Sequence, residues 1–154
     1  MPTRRSDVGR FPPLGALRGP AVAGSGPLGI GIDVVDVPRF ADLLARRGSA
    51  LGDRVFTAEE LATCGGSPQR LAARFAAKEA AAKALGLGIG PVAWRDVEVG
   101  AGDRGAPVLR LHGEARRVAE TRGLDRWAVS LSHDAARAAA LVVATGTCRT
   151  VLEP

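Results

Sequence analysis

Two charged residues in the middle of this 154-residue chain stand at a spacing that could serve chemistry. In Arg74-Phe-Ala-Ala-Lys-Glu79-Ala-Ala-Ala-Lys83, Glu79 and Lys83 are four residues apart, so on an α-helix they share one face and can hold one ligand. The same spacing also produces ordinary solvent-facing ion pairs. Alanine on both sides of the pair favours close packing, whereas we interpret the neighbouring Arg74 and Lys78 as a solvated basic face.

A second candidate, Asp33, lies in the apolar run Gly29-Ile-Gly-Ile-Asp33, where a buried strand normally carries Val or Ile. Burying a lone carboxylate is costly unless a cation or hydrogen-bond donors compensate it, although Asp33 also suits a strand's open end or a turn. Asp33 and Glu79 give two carboxylates without a histidine or cysteine cluster. That set suits Mg²⁺, which takes one or two carboxylates and completes its shell with waters and substrate phosphates.

The third candidate is His133, which ends the alternating segment Ser130-Leu-Ser-His133 beside Asp134. A histidine at a strand end can bind phosphate or transfer a proton, or it can be a hydrogen-bonded structural residue. The sequence contains no P-loop, no G-x-G-x-x-G turn after a strand and no G-x-S-x-G elbow, so the common nucleotide-binding and hydrolase scaffolds are not supported. The three segments together suit an anion with a metal.

The composition, 46% hydrophobic and 24% charged, describes one ordinary globular domain. The net charge is +5, but residues 1–27 hold four arginines against one aspartate, which leaves only +2 for the rest. We predict a disordered extension over 1–27, rich in proline and glycine, and a single domain over 28–154. A small basic nucleic-acid-binding domain with this extension as its arm is an alternative, although four Phe, two Trp and no Tyr offer few surfaces for stacking bases.

The cysteines and the apolar runs bear on where the protein works. Cys64 and Cys148 are too few and too far apart for a disulfide framework or a zinc site, which indicates a reducing compartment. No uncharged apolar run approaches the roughly 18 residues that a membrane span requires. The N-terminus also lacks the features of a secretory signal. We therefore expect a cytoplasmic protein that does not engage a membrane.

The local signals predict an α+β fold. Residues 28–35 are typical of a buried strand, after which Asp36 is a plausible N-cap for a helix that ends near 47. The remaining signals predict helices at about 57–65, 68–85 and 113–122, and strands at about 94–99, 107–111, 127–132 and 137–144. The resulting order is βαααββαββ.

Taken together, the three segments resemble the holo-acyl-carrier-protein synthases, the small AcpS-type family of 4'-phosphopantetheinyl transferases. The similarity covers about residues 28–145 and includes Trp94-Arg-Asp-Val-Glu-Val and Gly105-Ala-Pro-Val-Leu-Arg-Leu-His-Gly113. It implies the fold of that family, a mainly antiparallel sheet packed with a long central helix. It also implies Mg²⁺-dependent transfer of 4'-phosphopantetheine from coenzyme A to a serine of an apo acyl carrier protein, with release of adenosine 3',5'-bisphosphate. The carrier's pathway, fatty acid biosynthesis or polyketide, stays open.

The resemblance implies a role for each candidate residue. Asp33 and Glu79 would bind Mg²⁺, and Lys83 would neutralise charge that develops on the transferred phosphoryl group. Arg74 and His133 would contact coenzyme A, with His133 on a phosphate. Asp134 is a candidate base for the carrier serine, and a metal-polarised water is the alternative.

The resemblance also implies partners. The first helix of this family meets the acidic carrier, and Arg39 and Arg46, seven residues apart, lie on one helix face beside Arg47. The family is typically a homotrimer with active sites between subunits, so the segments need not converge within one chain. Ala81 stands where a bulkier apolar residue is usual, which indicates an enlarged pocket and tolerance for acylated coenzyme A. A non-catalytic carrier-binding subunit is the remaining alternative.

Overall fold

The structure, a computed structural model, describes residues 26–87 and 90–147. Residues 1–25, most of the predicted disordered extension, lie outside the described residues. The elements are β1 (Leu28–Asp36), α1 (Val37–Arg47), α2 (Ser49–Val55), α3 (Ala58–Cys64), α4 (Pro68–Ala84), β2 (Val97–Ala101), β3 (Pro107–Leu111), α5 (Gly113–Thr121), β4 (Arg126–His133) and β5 (Arg137–Thr145).

The predicted α+β class is confirmed, and the predicted order gains one short helix, α2. Local signals set the ends of the other helices. Asp36 caps α1 by accepting a hydrogen bond from the Arg39 backbone, and Thr57 forms a capping box at the start of α3. Helix α2 has no side-chain cap at its start, which explains why it was not predicted.

The strand predicted at 94–99 is wrong in its first half. Trp94–Asp96 form a short 3₁₀ turn, and β2 begins at Val97. The rings of Trp94 and Phe75 pack together with their centroids 5.0 Å apart. The backbone carbonyl of Trp94 accepts a hydrogen bond from Lys78. The Asp96 amide donates a 2.9 Å hydrogen bond to the Ala93 carbonyl, which closes a turn at 93–96 in place of a strand ladder.

Two antiparallel sheets pack around the central helix. The three-stranded sheet has the order β1-β5-β4, and β2 and β3 form a separate hairpin. Helix α4 packs against β1, β5, β4 and β2. Because β5 lies between β1 and β4, Asp33 on β1 and His133 on β4 are two strands apart.

Helix α4 is buried on several faces because eight of its seventeen residues are alanine. Small side chains let a helix accept neighbours on every side, and alanine has the highest intrinsic helix propensity. The buried alanines are Ala72, Ala73, Ala76, Ala77, Ala80, Ala81 and Ala84. A charged residue on such a helix therefore faces either a buried partner or a site.

Strand β1 was predicted to be buried, and only one of its faces is. The outward-pointing residues Leu28, Ile30, Ile32 and Val34 are each about 60% exposed in the single chain. The opposite face, with Gly29 and Gly31, is buried against α4. The prediction was wrong because a continuous apolar run does not reveal that only one face is covered within one chain.

Candidate active site

Asp33 and Lys83 are brought together by the packing of β1 on α4. The Lys83 ammonium (Nζ) lies 2.8 Å from Asp33 Oδ1 and donates a second 2.8 Å hydrogen bond to the Ile32 carbonyl. The Lys83 side chain is 51% exposed and that of Asp33 is 20% exposed. The pair therefore stands at an open edge of the protein, where a ligand can reach both charges.

Glu79 completes the set, one turn before Lys83 on α4. Only 8% of it is exposed. Burial raises the pKa of the Glu79 carboxyl above its ordinary value, and the nearby Asp33 carboxylate raises it further, while Lys83 lowers it. Asp33, Glu79 and Lys83 together are called the carboxylate site below.

The carboxylate site has the composition of a divalent-cation site. It opposes two carboxylates with one ammonium, so one negative charge is left over when both carboxyls are ionised. Within the described residues no group of three or more His, Cys, Asp or Glu side chains is gathered to hold a metal. Two carboxylates nevertheless suffice for Mg²⁺, whose remaining ligands are waters and substrate oxygens, so the residues present fit that ion.

Lys78, next to Glu79 in sequence, is not part of a solvated basic face, and that interpretation was wrong. It is 1% exposed and its Nζ lies 2.9 Å from Glu60 Oε2. It also donates to the carbonyls of Trp94 and Val97, and burial lowers its pKa, with Glu60 opposing that shift. Lys78 thus ties α4 to α3 and to the start of β2.

Glu60 is the other half of this pair and is fully buried. Its Oε1 accepts a hydrogen bond from the Val99 backbone, and its Oε2 accepts one from the Thr57 backbone as well as from Lys78. The sequence showed Glu60 as a capping-box residue but not as the partner of Lys78. The alanine-rich surroundings of Lys78 were the available sign that it is buried.

A cavity of about 300 Å³ opens beside Glu79. Lys78 and Ala82 line it from α4, and Arg54, Val92, Trp94 and Val97 are among the residues that close it. Ala81 does not line this cavity, because it is fully buried in the core. The structure therefore gives no support to the expectation that Ala81 enlarges a pocket.

A second cavity, of about 500 Å³, contains Arg74 and His133. Arg70 and Ser130 also line it, and it shares no lining residue with the cavity beside Glu79. Of the buried side-chain nitrogens and oxygens in the described residues, only Arg74 Nε has no hydrogen-bond partner. This space, the cationic cavity below, therefore offers two arginines, a histidine and an unused donor to an anion.

Asp134 lies in neither cavity but in the turn between β4 and β5. Its Oδ1 accepts hydrogen bonds of 2.7 Å from the backbone of both Ala136 and Arg137. These bonds lower the pKa of the Asp134 carboxyl below its ordinary value. A carboxylate stabilised in this way is a weak base, and its evident work here is to shape the turn.

The arginines of α1 form a separate surface. Arg39, Arg46 and Arg47 are exposed, and Leu43, one turn after Arg39, is also exposed. The sequence-derived residues thus fall into four places within one chain. These are the carboxylate site, the cationic cavity, the outer face of α1 and, for Asp134, the turn between β4 and β5.

Comparison with known proteins identifies the family. The family model of the 4'-phosphopantetheinyl transferase superfamily matches residues 29–141, which include Asp33, Glu79, Lys83 and His133. The chain belongs to this superfamily. Within it, the chain is 45% identical over 123 residues to a holo-[acyl-carrier-protein] synthase of Herpetosiphon aurantiacus, an alignment that covers 75% of this chain and 97% of that protein.

Solved structures of the superfamily share the fold. The Helicobacter pylori holo-[acyl-carrier-protein] synthase in complex with coenzyme A superposes with a TM-score of 0.70 at 30% identity, covering 75% of this chain and 99% of that one. The Bacillus anthracis synthase in complex with CoA (3',5'-ADP) has a TM-score of 0.63 at 34% identity, covering 77% and 96%. The predicted family is therefore confirmed.

One further finding bears on this phosphopantetheinyl transferase. Among the helices in residues 26–87 and 90–147, none combines the length and the apolar character that crossing a membrane requires.

Proposed function

We propose that this protein transfers 4'-phosphopantetheine from coenzyme A to a serine of an apo acyl carrier protein, with Mg²⁺ bound by Asp33 and Glu79, and that it releases adenosine 3',5'-bisphosphate. The observation that carries the proposal is the carboxylate site, in which β1 and α4 bring two carboxylates and Lys83 to one open edge. Its relatives are named holo-[acyl-carrier-protein] synthase, and one of them has been solved in complex with CoA (3',5'-ADP).

In the proposed reaction the serine oxygen forms a bond to the phosphorus that carries pantetheine, and the bond from that phosphorus to the adenosine 3',5'-bisphosphate oxygen breaks. Mg²⁺ bound at the site would neutralise negative charge on the diphosphate. Lys83 stabilises the charge that grows on the transferred phosphoryl group, because its exposed ammonium needs only to exchange Asp33 for a phosphate oxygen.

The cationic cavity is the proposed anchor for a coenzyme A phosphate. Arg74 and His133 both line it, and the unused Nε of Arg74 can donate to a phosphate oxygen without losing an existing hydrogen bond. A second arginine, Arg70, adds charge. Phosphate held at this point fixes the nucleotide end of the substrate while the diphosphate meets the carboxylate site.

Three groups are candidates to accept the serine proton. Asp134, the residue proposed from the sequence, has a lowered pKa and two backbone donors on one oxygen, which weakens it as a base. His133, its exposed neighbour, and a metal-polarised water are the other candidates. The geometry therefore favours these two over Asp134.

The outer face of α1 is the proposed carrier-binding surface. Arg39, Arg46 and Arg47 are exposed cations, which suits an acidic protein, and exposed Leu43 offers an apolar contact among them. Arg39 is also close in sequence to the carboxylate site, since α1 follows β1 directly. A carrier bound here would have its serine near Asp33.

We further propose that the active enzyme is a homotrimer with its sites between subunits. The exposed apolar residues of β1 continue onto β5, where Leu141 is paired with Ile32 and is also exposed. Water-exposed apolar faces of this extent mark interfaces. A second copy packed on this face would also explain how the carboxylate site of one chain and the cationic cavity of another can serve one coenzyme A.

A cytoplasmic location is proposed on the state of Cys64. Within the described residues Cys64 is an unpaired, buried cysteine, which fits a reducing compartment.

The decisive experiment is the intact mass of a purified apo acyl carrier protein after incubation with this protein, coenzyme A and Mg²⁺. We expect a gain of about 340 Da, one phosphopantetheine, which EDTA abolishes because the phosphoryl transfer needs the metal. Glu79→Ala should lose the transfer while it still binds the carrier.

The other outcomes separate the alternatives. Carrier binding without any mass gain across several carriers would indicate a non-catalytic carrier-binding subunit. Salt-sensitive nucleic-acid binding without carrier binding would indicate a basic nucleic-acid-binding domain.

A further inference from the structure

Two glycines, Gly29 and Gly31, occupy the α4-facing side of β1. Glycine weakens a strand interior, because it has no side chain to pack and loses much conformational freedom on folding. Neither residue has a positive φ, so the backbone conformation does not require glycine. The requirement lies in the space between the two elements.

Gly31 faces the backbone of α4 at a distance that no other residue allows. A Cβ atom added to Gly31 would lie 1.8 Å from the Ala80 carbonyl oxygen and 2.9 Å from the Ala84 backbone nitrogen. Non-bonded carbon contacts normally lie near 3.5 Å, so the two elements would have to separate by more than about 1 Å. No side-chain rotation relieves this contact, since the opposing atoms are backbone.

This contact lies directly beside the carboxylate site. Asp33 is the next α4-facing residue of β1 after Gly31, because strand side chains alternate. Glu79 immediately precedes Ala80, and Lys83 follows one turn later. The contact between Gly31 and Ala80 therefore fixes the distance between β1 and α4 where the two carboxylates face each other.

We propose that Gly31 is a positioning residue that sets the separation of Asp33 and Glu79, and thereby the affinity of the carboxylate site for a divalent cation. The proposal rests on the Mg²⁺ site of the proposed function. Mg²⁺ demands near-ideal octahedral geometry, and ligand distances in metal sites hold within about 0.2 Å. A shift of more than 1 Å between the two elements exceeds that tolerance.

Gly146 offers a matched control for the general cost of crowding a backbone. A Cβ atom added there would lie 1.7 Å from the Gly123 carbonyl oxygen, an equally severe contact, and its φ is not positive. Its amide bonds to the Pro27 carbonyl. Pro27 precedes Asp33 by six residues, roughly 20 Å along β1, so Gly146→Ala disturbs the far end of the sheet.

Gly29 supplies a second, milder variant if Gly31→Ala does not fold. Its added Cβ would lie 2.2 Å from the Ala84 carbonyl oxygen, with the next contact at 3.1 Å. This contact is one turn further from Glu79. Gly29→Ala should therefore weaken the cation site less than Gly31→Ala and more than Gly146→Ala.

The test measures Mn²⁺ binding to each purified full-length variant by the electron paramagnetic resonance signal of free Mn²⁺, with thermal melting in EDTA beside it. We expect Gly31→Ala to raise the Mn²⁺ dissociation constant roughly tenfold or more. Gly146→Ala should lower the melting temperature about as much as Gly31→Ala does, and it should leave the Mn²⁺ dissociation constant unchanged. Glu79→Ala, measured in parallel, should abolish the binding.

Two results overturn the proposal in distinguishable ways. If Gly31→Ala, or Gly29→Ala where the former does not fold, binds Mn²⁺ as tightly as Gly146→Ala while Glu79→Ala does not bind, the positioning role is wrong and the cation site stands. If Glu79→Ala binds Mn²⁺ like the unaltered protein, the cation site itself is wrong and the role of Gly31 falls with it.

Discussion

Lys78 and Glu79 are adjacent on α4 but belong to two arrangements of opposite character. Lys78 pairs with Glu60 in the interior, where both side chains are fully buried and three acceptors surround the ammonium. Glu79 faces Asp33 and Lys83 at an open edge, where two carboxylates share one ammonium. The same residue types thus form a closed pair on one side of the helix and an incomplete set on the other.

The difference shows what separates a structural ion pair from a candidate site. A buried pair is tolerable only when its hydrogen-bonding groups are satisfied, and Glu60 with Lys78 meets that condition. The carboxylate site has an excess negative charge when both carboxyls are ionised, and Asp33 and Lys83 remain accessible, so the site gains from a bound cation. Residue type and spacing alone do not distinguish a structural ion pair from a candidate site. The satisfaction of the hydrogen-bonding groups and the solvent exposure of the side chains do.

The largest effect is expected from breaking the closed pair. Lys78→Met leaves the Glu60 carboxylate buried without its cation, so we expect the free energy of unfolding to fall by about 3–5 kcal/mol. Urea unfolding at a fixed protein concentration measures it. Lys83→Met is the matched control, because the Lys83 side chain is half-exposed and its removal should change stability by about 1 kcal/mol or less. Equal stability of the two variants would contradict the contrast between the Lys78–Glu60 pair and the carboxylate site.

Lys83→Met also tests the carboxylate site, through its effect on activity. Lys83→Met removes the ammonium proposed to stabilise the transferred phosphoryl group, so we expect kcat to fall roughly 100-fold. The measurement is the initial rate of carrier modification at saturating coenzyme A, with folding checked by circular dichroism. A kcat within a few-fold of the unaltered enzyme would leave Lys83 as a partner of Asp33 without a catalytic role.

The smallest expected effect is on the pH dependence of stability in the metal-free protein. Burial, followed by the Asp33 carboxylate, raises the folded-state pKa of Glu79 above its ordinary value, so the folded protein holds a proton that the unfolded chain has released. Stability from this group is present below the ordinary pKa and is lost as pH rises through the raised pKa. Glu79→Gln cannot ionise and avoids that loss.

Thermal melting in EDTA over a series of pH values tests this sign. We expect Glu79→Gln to melt a few degrees above the unaltered protein at neutral pH, with the gain shrinking as pH falls through the raised pKa. A gain that grows towards acid pH would mean that Glu79 is stabilised as a carboxylate in the folded protein.

The parts of the fold that depend on neighbouring residues could be predicted from the sequence. Asp36 and Thr57 cap their helices through bonds three residues away, so a short segment contains the whole cause. Trp94 was misassigned to a strand, whereas its ring packs on Phe75 and its carbonyl accepts a hydrogen bond from Lys78, sixteen residues earlier; α2 was missed because no side chain caps it. Local patterns do not contain such partners.

The candidate site was predictable in its residues but not in its arrangement. Asp33 stood out as a carboxylate in an apolar strand, and its bond to Lys83 spans fifty residues. The partner of Lys78 could not be predicted, because Glu60 lies on another helix and already had a local explanation as a cap. The separation of His133 from Asp33 follows from the strand order, which sequence spacing does not reveal.

The alanine-rich interior of α4 has a consequence for the entropy of folding. Alanine loses no rotamer freedom when it is buried, so this helix becomes the centre of the core at little cost in side-chain entropy. Each alanine also contributes little apolar area, so most of the hydrophobic stabilisation comes from the larger side chains that close on the helix, such as Phe56, Leu85, Val99 and Val142. The central helix thus acts as a stiff template, and the elements around it supply most of the driving force for folding.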